Sequence, residues 1–493
     1  MARLVPHARR GVLVRCVRGS APPMRRDLLA FRPVRRALRF GPFQFLAIVP
    51  AALIVAVVVA STWLGVDHPG FNFGTVFTWV VWWSALLVSF IFLGRAWCLV
   101  CPVGAVGEWI QRLSFWGRSR YTAGLELPWP RPLRNLWLAT VLFVAFIWLD
   151  NGYGISNSPR LTAGLIMVLI VVSAWIGLLF ERRAFCRYLC PLTAFIGVNS
   201  LFSTLELRSR DGDVCRTDCP TKDCYRGNAR TYGCPMGEFP GGAMDTNLLC
   251  ILCSECIKSC GHDNIGLRLR APGRDLWAMR RPRVDGGFAA ITVVGLATLV
   301  PLVTNTWLPT VRGWLAHTLP AGLPPNDPPR LVAVGLLFAL GLGASVALVH
   351  VFSFLSRQAA GIETVSTRTL FVHYAYAFVP LALFKFLADL LDHALRTWGT
   401  LGDVTRALML DFPRNRVVPG RVTVVQLVGP VETYLMQTAL LLAGLLFTLF
   451  ALHRISLRLF ADRDVALASF LPMAGLGVVL TLVSLWMLGG SLL

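Results

Sequence analysis

Nine mostly apolar stretches, the majority near the length that a helix needs to cross a bilayer, constrain this chain more than any other feature. A spanning helix takes about 20 such residues. In lipid a run of that length must satisfy its own backbone polar groups, which leaves helices as the plausible structure. The stretches run from about Phe43 to Val66, Val76 to Leu93, Leu136 to Leu149, Leu161 to Phe180, Phe288 to Leu308, Leu331 to Val351, Leu370 to Leu391, Tyr434 to Leu452 and Ala466 to Leu488. The third is short. Composition agrees: the chain is 55% hydrophobic and only 15% charged, with a mean hydropathy of +0.61. Sixteen tryptophans suit the membrane–water interface. The expected fold is an all-α polytopic membrane protein of about nine transmembrane helices, interrupted after the fourth by a polar, cysteine-rich insert.

Arginine placement orients it. The segment RRDLLAFRPVRRALRF ahead of the first helix belongs in the cytoplasm by the positive-inside bias. The chain then returns to that side at Arg95 and again at ERRAFCR, whereas the intervening loop LDNGYGISNSPR is nearly free of positive charge. One loop breaks the rule: from about Arg396 to Val431 it falls outside yet carries Arg406, Arg414, Arg416 and Arg421. The same bias accounts for the formal charge of +21, so nucleic acid is not the expected partner. No short apolar core followed by small residues marks a cleavable signal peptide. The expected location is a bacterial-type inner membrane, with the N-terminus and the insert cytoplasmic.

Twelve of the thirteen cysteines fall into three groups of four, the number of thiolates that hold a [4Fe–4S] cluster; Cys16 stands alone. Cys250, Cys253, Cys256 and Cys260 form the C-x2-C-x2-C-x3-C run of bacterial ferredoxins. Cys215, Cys219, Cys224 and Cys234 stand upstream with wider spacing. In two-cluster ferredoxins the fourth cysteine of each run ligates the other cluster. That crossing gives Cys250, Cys253, Cys256 and Cys234 to one cubane, and Cys215, Cys219, Cys224 and Cys260 to the other. Pro235 follows Cys234, as is common in such runs, but Gly261 follows Cys260. The alternative is a zinc ribbon, built from separated C-x2-C pairs. Arg216, Lys222, Arg226, Arg230, Lys258, Arg268 and Arg270 surround the insert, either raising cluster potential or simply forming a solvated basic surface.

The third group is split. Cys98/Cys101 and Cys186/Cys190 each follow an apolar stretch, and Pro102 and Pro191 end the helix after the second cysteine. They can hold a third [4Fe–4S] cluster, another redox centre or metal, a redox-active dithiol, or separate places at a quinone pocket; mere buried cysteines are the plain alternative. GRAWCLVCPVGAVGEW echoes RRAFCRYLCPLTAFIG. The echo suggests two-helix repeats, from about Phe43 to Val106 and from about Leu136 to Ile196, whose cysteine turns can face one another.

Ionisable residues inside a spanning helix are functional suspects. Lys385, Asp389 and His393 recur every fourth residue on one helix face, fit to bind a quinone head group or relay its protons, or else to neutralise one another. His350 and His373 flank one loop and can clamp a b-type haem or cap their helices. His317 and His453 read as interface residues.

Two C-x(2–3)-C-P motifs ahead of a two-cluster ferredoxin insert resemble the NapH/NosR-type membrane polyferredoxins. The similarity covers about Phe43 to Arg270. It implies quinol oxidation, or electron transfer between the quinone pool and a partner redox protein or oxidoreductase subunit, as in NapH of periplasmic nitrate reduction and NosR of nitrous oxide reduction. The chain departs from them in three ways. Two residues, not the usual three, separate Cys98 from Cys101. The flavin-binding extracytoplasmic domain of NosR has no counterpart, and NapH lacks the five C-terminal helices. The copper-reducing assembly protein CcoG shares the core but ends in an immunoglobulin-like domain that is not found here.

The expected organisation is a basic segment (1–42), a four-helix membrane core with both C-P motifs (43–200), the ferredoxin-like insert (201–286) and a C-terminal membrane domain (287–493). The expected function is electron relay between quinone pool and partner by a subunit of a quinol-linked oxidoreductase. The alternatives are an assembly or redox-sensing protein that uses its clusters to reduce a metal centre, and a transporter with a structural zinc domain.

Overall fold

The computed structural model describes residues 27–116, 119, 121–229, 231–319, 327–361, 365–411 and 428–489. Cys16 and most of the basic N-terminal segment lie outside them, as do Arg230, Arg414, Arg416 and Arg421. All nine apolar stretches form helix. The membrane helices are α1 (Phe43–Leu64), α2 (Phe73–Phe92), α3 (Trp137–Tyr153), α4 (Pro159–Leu179), α5 (Val284–Ala297), α6 (Leu299–Leu315), α7 (Pro328–Ala360), α8 (Thr367–Met409), α9 (Pro430–Leu459) and α10 (Arg463–Gly489). Seven of these are long and apolar enough to cross a bilayer alone.

The other two stretches differ for local reasons. Helix α3 has 17 residues, about 26 Å at 1.5 Å per residue, short of a hydrocarbon core of about 30 Å. The fifth stretch breaks into α5 and α6, bent by 44°. Pro301 explains the break. It has no N–H to give the carbonyl of Ala297 and its ring clashes there, so α5 ends at Ala297 and Thr298 leaves the helical region. Taken as one span, the pair brings the number to eight.

Helix α8 is the inner element of the bundle: 83% of its apolar window is buried, against 17% for α1. It packs on α2, α5, α9 and α10. Between α2 and α3, and again after α4, the chain does not leave the bundle directly. Helices Pro102–Arg112 and Leu192–Asn199 fold back along α4 and α3 respectively. Gly107 and Gly177 let Pro102–Arg112 lie against α4: a Cβ on Gly177 would stand 2.5 Å from the Gly107 carbonyl oxygen.

The cysteine-rich segment leaves and rejoins the bundle through a two-stranded antiparallel sheet, β1 (Leu205–Ser209) and β2 (Ile265–Leu269), paired from Leu205↔Leu269 to Ser209↔Ile265. Leu205, Leu207, Ile265 and Leu267 turn inward onto Cys224, Cys256 and Ile257. Asp27 straps the N-terminal side onto this sheet: its carboxylate accepts from Leu267 N (3.1 Å) and from Arg210 Nε (2.9 Å). The region is otherwise loops and single turns, as expected where thiols rather than apolar bulk organise the chain.

Candidate iron–sulfur centres

Three groups of four thiols come together. In the first, Cys215, Cys219, Cys224 and Cys260 line one pocket with Thr221, Phe239 and Ile265. Asn264 ties two of them, donating from its backbone N to Cys260 Sγ (3.3 Å) and from Nδ2 to Cys215 Sγ (3.1 Å). Gly241 gives its backbone N–H to Cys224.

In the second group, Cys234, Cys250, Cys253 and Cys256 line a pocket with Met236, Glu238 and Met244. Leu252 and Ser254, on either side of Cys253, lie at φ 55° and 63°. Such left-handed residues cost roughly 1–2 kcal/mol each, and here they turn the backbone N–H of Leu252 onto Cys250 and that of Glu255 onto Cys253. Burial pushes the thiols of Cys224, Cys250 and Cys253 up to about 12. Without metal these thiols stay protonated, and metal loading must release protons.

The third group lies at the bundle edge. The residue before a proline is driven out of the helical region. Cys101 (φ −70°, ψ 116°) and Cys190 (φ −59°, ψ 121°) accordingly adopt nearly the same extended conformation just before Pro102 and Pro191. Each pair is thus a helical turn with its last cysteine swung aside. Cys98, Cys186 and Cys190 share one apolar cluster, so the two turns face one another. Gly104 permits it, since a Cβ there would stand 2.5 Å from Cys186 Sγ. Gly104→Val should force the turns apart at a cost of about 1–3 kcal/mol, as overpacking does. Thermal unfolding and iron content would show it, with loss at this site and none in the insert.

These arrangements fit cubanes. Each of the two insert groups offers four thiols to a common pocket, with backbone N–H donors aimed at sulfur. Among the described residues no three His, Cys, Asp or Glu side chains converge closely enough to hold a single metal ion.

The three groups follow one another in space. Cys98, Cys186 and Cys190 share one apolar cluster with Cys234 and Cys253. Cys250 and Cys256 share another with Cys224 and Cys260.

The basic residues singled out around the insert are largely committed elsewhere. Arg270 is buried against Glu206, Asp275 and the Ser203 carbonyl, Lys258 pairs with Glu255, and Arg216 pairs with Asp213 in solvent. The cations near thiols are instead Arg95, Arg182 and Arg183, which in the sequence served only to mark orientation. Glu108, buried, accepts from Arg183 Nε (2.6 Å) and Arg182 Nε (3.0 Å) and also pairs with Arg112. Arg112 and Arg182 lie over the ring of Tyr232 at 4.2 and 4.8 Å. Arg182 in turn bears on Cys253 and Cys234. Spacing gave no sign of the roles of Glu108 and Asn264, because Arg182, Arg183 and Cys215, which they bring together with nearer partners, lie far along the chain.

In the C-terminal helices Lys385 is 2% exposed and pairs with Asp389, while His393 lies two turns beyond Lys385 and is exposed. Phe386, next to Lys385, ends a run of ring contacts that begins beside Cys98: Trp97–Trp82 (5.9 Å), Trp82–Trp83 (5.7 Å), Trp83–Phe195 (5.7 Å) and Phe195–Phe386 (5.4 Å). His373 Nδ1 bonds the Thr369 carbonyl of its own helix (2.8 Å), and the exposed His350 packs on Phe371.

Fold and site together define a polytopic all-helical membrane protein with a 4Fe-4S binding domain. The family described as "4Fe-4S binding domain" matches twice, at residues 75–121 and 161–205, each match taking in one cysteine turn. The chain is similar to the putative electron transport protein YccM of Escherichia coli (strain K12), 30% identical over 28% of this chain and 45% of that one. It is also similar to two proteins of Paracoccus denitrificans (strain Pd 1222). These are the protein NirI (30% identical; 35% of this chain, 26% of the relative) and the methylamine utilization ferredoxin-type protein MauN (30% identical; 27% of this chain, 49% of the relative). The chain spans less than half the length of these three relatives. No solved structure matches. The resemblance to membrane polyferredoxins of the NapH/NosR type agrees with these relatives.

Proposed function

We propose that this protein is a membrane-bound iron–sulfur electron carrier that relays single electrons between the quinone pool and a redox partner. The observation that carries it is the succession of three four-thiol sites, from the bundle edge (Cys98, Cys101, Cys186, Cys190) through Cys234, Cys250, Cys253 and Cys256 to Cys215, Cys219, Cys224 and Cys260. When bound, [4Fe–4S] clusters supply one-electron redox centres, with potentials set by charge, hydrogen bonds to sulfur and exposure. The protein supplies the spacing, the N–H donors and the low-dielectric surroundings. Within this succession the Cys215 group is the end that shares no cluster with the edge cysteines, which suits exchange with a partner. Residues 201–286 act as a ferredoxin-like unit on the cytoplasmic side of an inner membrane, beside the basic residues that flank α1.

Lys385 and Asp389 are the candidate quinone site, with His393 as an outer proton-relaying group. A charged pair within a spanning helix is costly and rarely kept without use, and the ring contacts from Trp97 lead to its neighbour Phe386. A hydrogen bond to a charged group is worth about 1.5–3 kcal/mol, so Lys385→Met should slow quinol-driven cluster reduction by about tenfold or more.

The test is anaerobic reconstitution in liposomes with a quinol analogue, followed by low-temperature electron paramagnetic resonance. Reduction by quinol supports the relay. Clusters indifferent to quinol but changed by Cu(II) or a soluble donor would move the protein to metal-centre maturation or redox sensing.

A further inference from the structure

Arg95 and Arg183 hold equivalent places in the internal echo, each three residues ahead of its motif's first cysteine: Arg95-Ala96-Trp97-Cys98 and Arg183-Ala184-Phe185-Cys186. Each reaches into the other motif. Arg95 Nη2 donates to the Cys186 carbonyl at 3.1 Å, and Arg183 Nη1 donates to the Cys98 carbonyl at 3.1 Å. Both residues are buried, at 1% and 4% exposure.

Their charges are poorly matched by the protein. Arg95 is held by neutral oxygens, the Leu248 carbonyl (3.0 Å), the Cys186 carbonyl and Thr193 Oγ1 (3.3 Å), and pairs with no carboxylate among the described residues. Arg183 shares Glu108 with Arg112 and Arg182. Arg95 Nε and Arg183 Nη2 have no hydrogen-bond partner among the described residues. Both guanidinium groups bear on Cys186, and that of Arg183 also bears on Cys101. Burying cations without counter-charge costs several kcal/mol. Four neutral thiols or a disulfide supply no such charge. A cubane on four thiolates is anionic.

Given the assignment of Cys98, Cys101, Cys186 and Cys190 as cubane ligands, on which this rests, we infer that Arg95 and Arg183 are its charge-compensating positioning pair. They lock the two cysteine turns together through the crossed carbonyl bonds and hold the potential of the edge site up by favouring its more negative, reduced form.

The experiment is a redox titration of the full-length, anaerobically purified protein by electron paramagnetic resonance, with iron quantified, for the parent and for Arg95→Gln, Arg95→Lys, Arg183→Gln and Arg183→Lys. In each glutamine variant the reduced-to-oxidised ratio of the edge signal, read at the parent's midpoint, should fall about tenfold, equivalent to about 59 mV for one electron. Lysine should restore most of it, and the insert signals should not move. Glutamine variants that titrate with the parent overturn the inference. A parent with no third signal and no third complement of iron instead removes the ligand assignment beneath it. If the glutamine variants do not accumulate, Arg95→Gln is placed in a Cys98→Ser/Cys186→Ser background and unfolding is measured. There, with no anion to compensate, the variant should accumulate and lose only the stability of the Arg95 hydrogen bonds; failure to accumulate in that background too would overturn the inference.

Discussion

Glu108→Leu should cost about 3–5 kcal/mol of stability, the penalty for removing one partner of a buried ion pair. Its carboxylate is 3% exposed and serves three guanidinium groups, which are between 0% and 15% exposed. Removing it leaves these charges facing one another without a counter-ion. Denaturant or thermal unfolding in detergent measures the loss directly. Glu108→Gln keeps the shape and should fall between parent and leucine in stability. It should also raise the midpoint potentials of the edge site and of the Cys234/Cys253 site, because Arg183 and Arg182 are then less neutralised beside them. A leucine variant within about 1 kcal/mol of the parent would show that these arginines find other partners, and that the cluster of charges is not what joins Pro102–Arg112 to the turn after α4.

Cys253→Ala should remove one cluster's complement of iron and its resonance signal, and should weaken the insert as a whole. Cys253 is buried between the left-handed Leu252 and Ser254, a backbone arrangement held by what its N–H groups bind. Without a cluster at that site the strain of the two residues is uncompensated and the neighbouring Cys256, which lies in the same apolar cluster as Cys224, loses its anchor. Iron and sulfide analysis together with the spectrum decide the outcome. An unchanged spectrum would overturn the assignment of Cys250, Cys253, Cys256 and Cys234 to one centre. Loss of the edge signal as well would mean that the sites are less independent than their separate positions suggest.

Much of the architecture was legible because it rests on local physics. Apolar runs near bilayer length became helices, and their ends fell within a few residues of the composition boundaries except where helices extend past the lipid, as α8 does. The bend between α5 and α6 was written in Pro301, yet the apolar pattern continues across it and hid the break. The grouping of thiols was legible because short spacings fix which sulfurs share a turn and the proline after Cys101 or Cys190 fixes where that turn opens. What spacing could not convey was how polar residues outside the cysteine motifs join distant segments. Asn264 meets Cys215 from 49 residues away, and Glu108 meets Arg183 from 75. Both look like ordinary polar residues until the turns are brought together. The basic residues around the insert were conspicuous in sequence and mostly proved to be engaged in surface or sheet-side pairs, while the arginines beside the thiols were the ones that composition alone explained as insertion signals.

The crossed reach of Arg95 has a consequence for biogenesis. Its acceptors lie 91, 98 and 153 residues downstream, so a growing polypeptide that has already threaded its first hairpin into lipid carries a half-built pocket and a stranded guanidinium until much later segments are translated. Closure must await emergence of Leu248 from the ribosome. The Arg95 pocket therefore closes only after the early helices have been made, and a product truncated before Leu248 would lack one of its three acceptors however well its early helices embed.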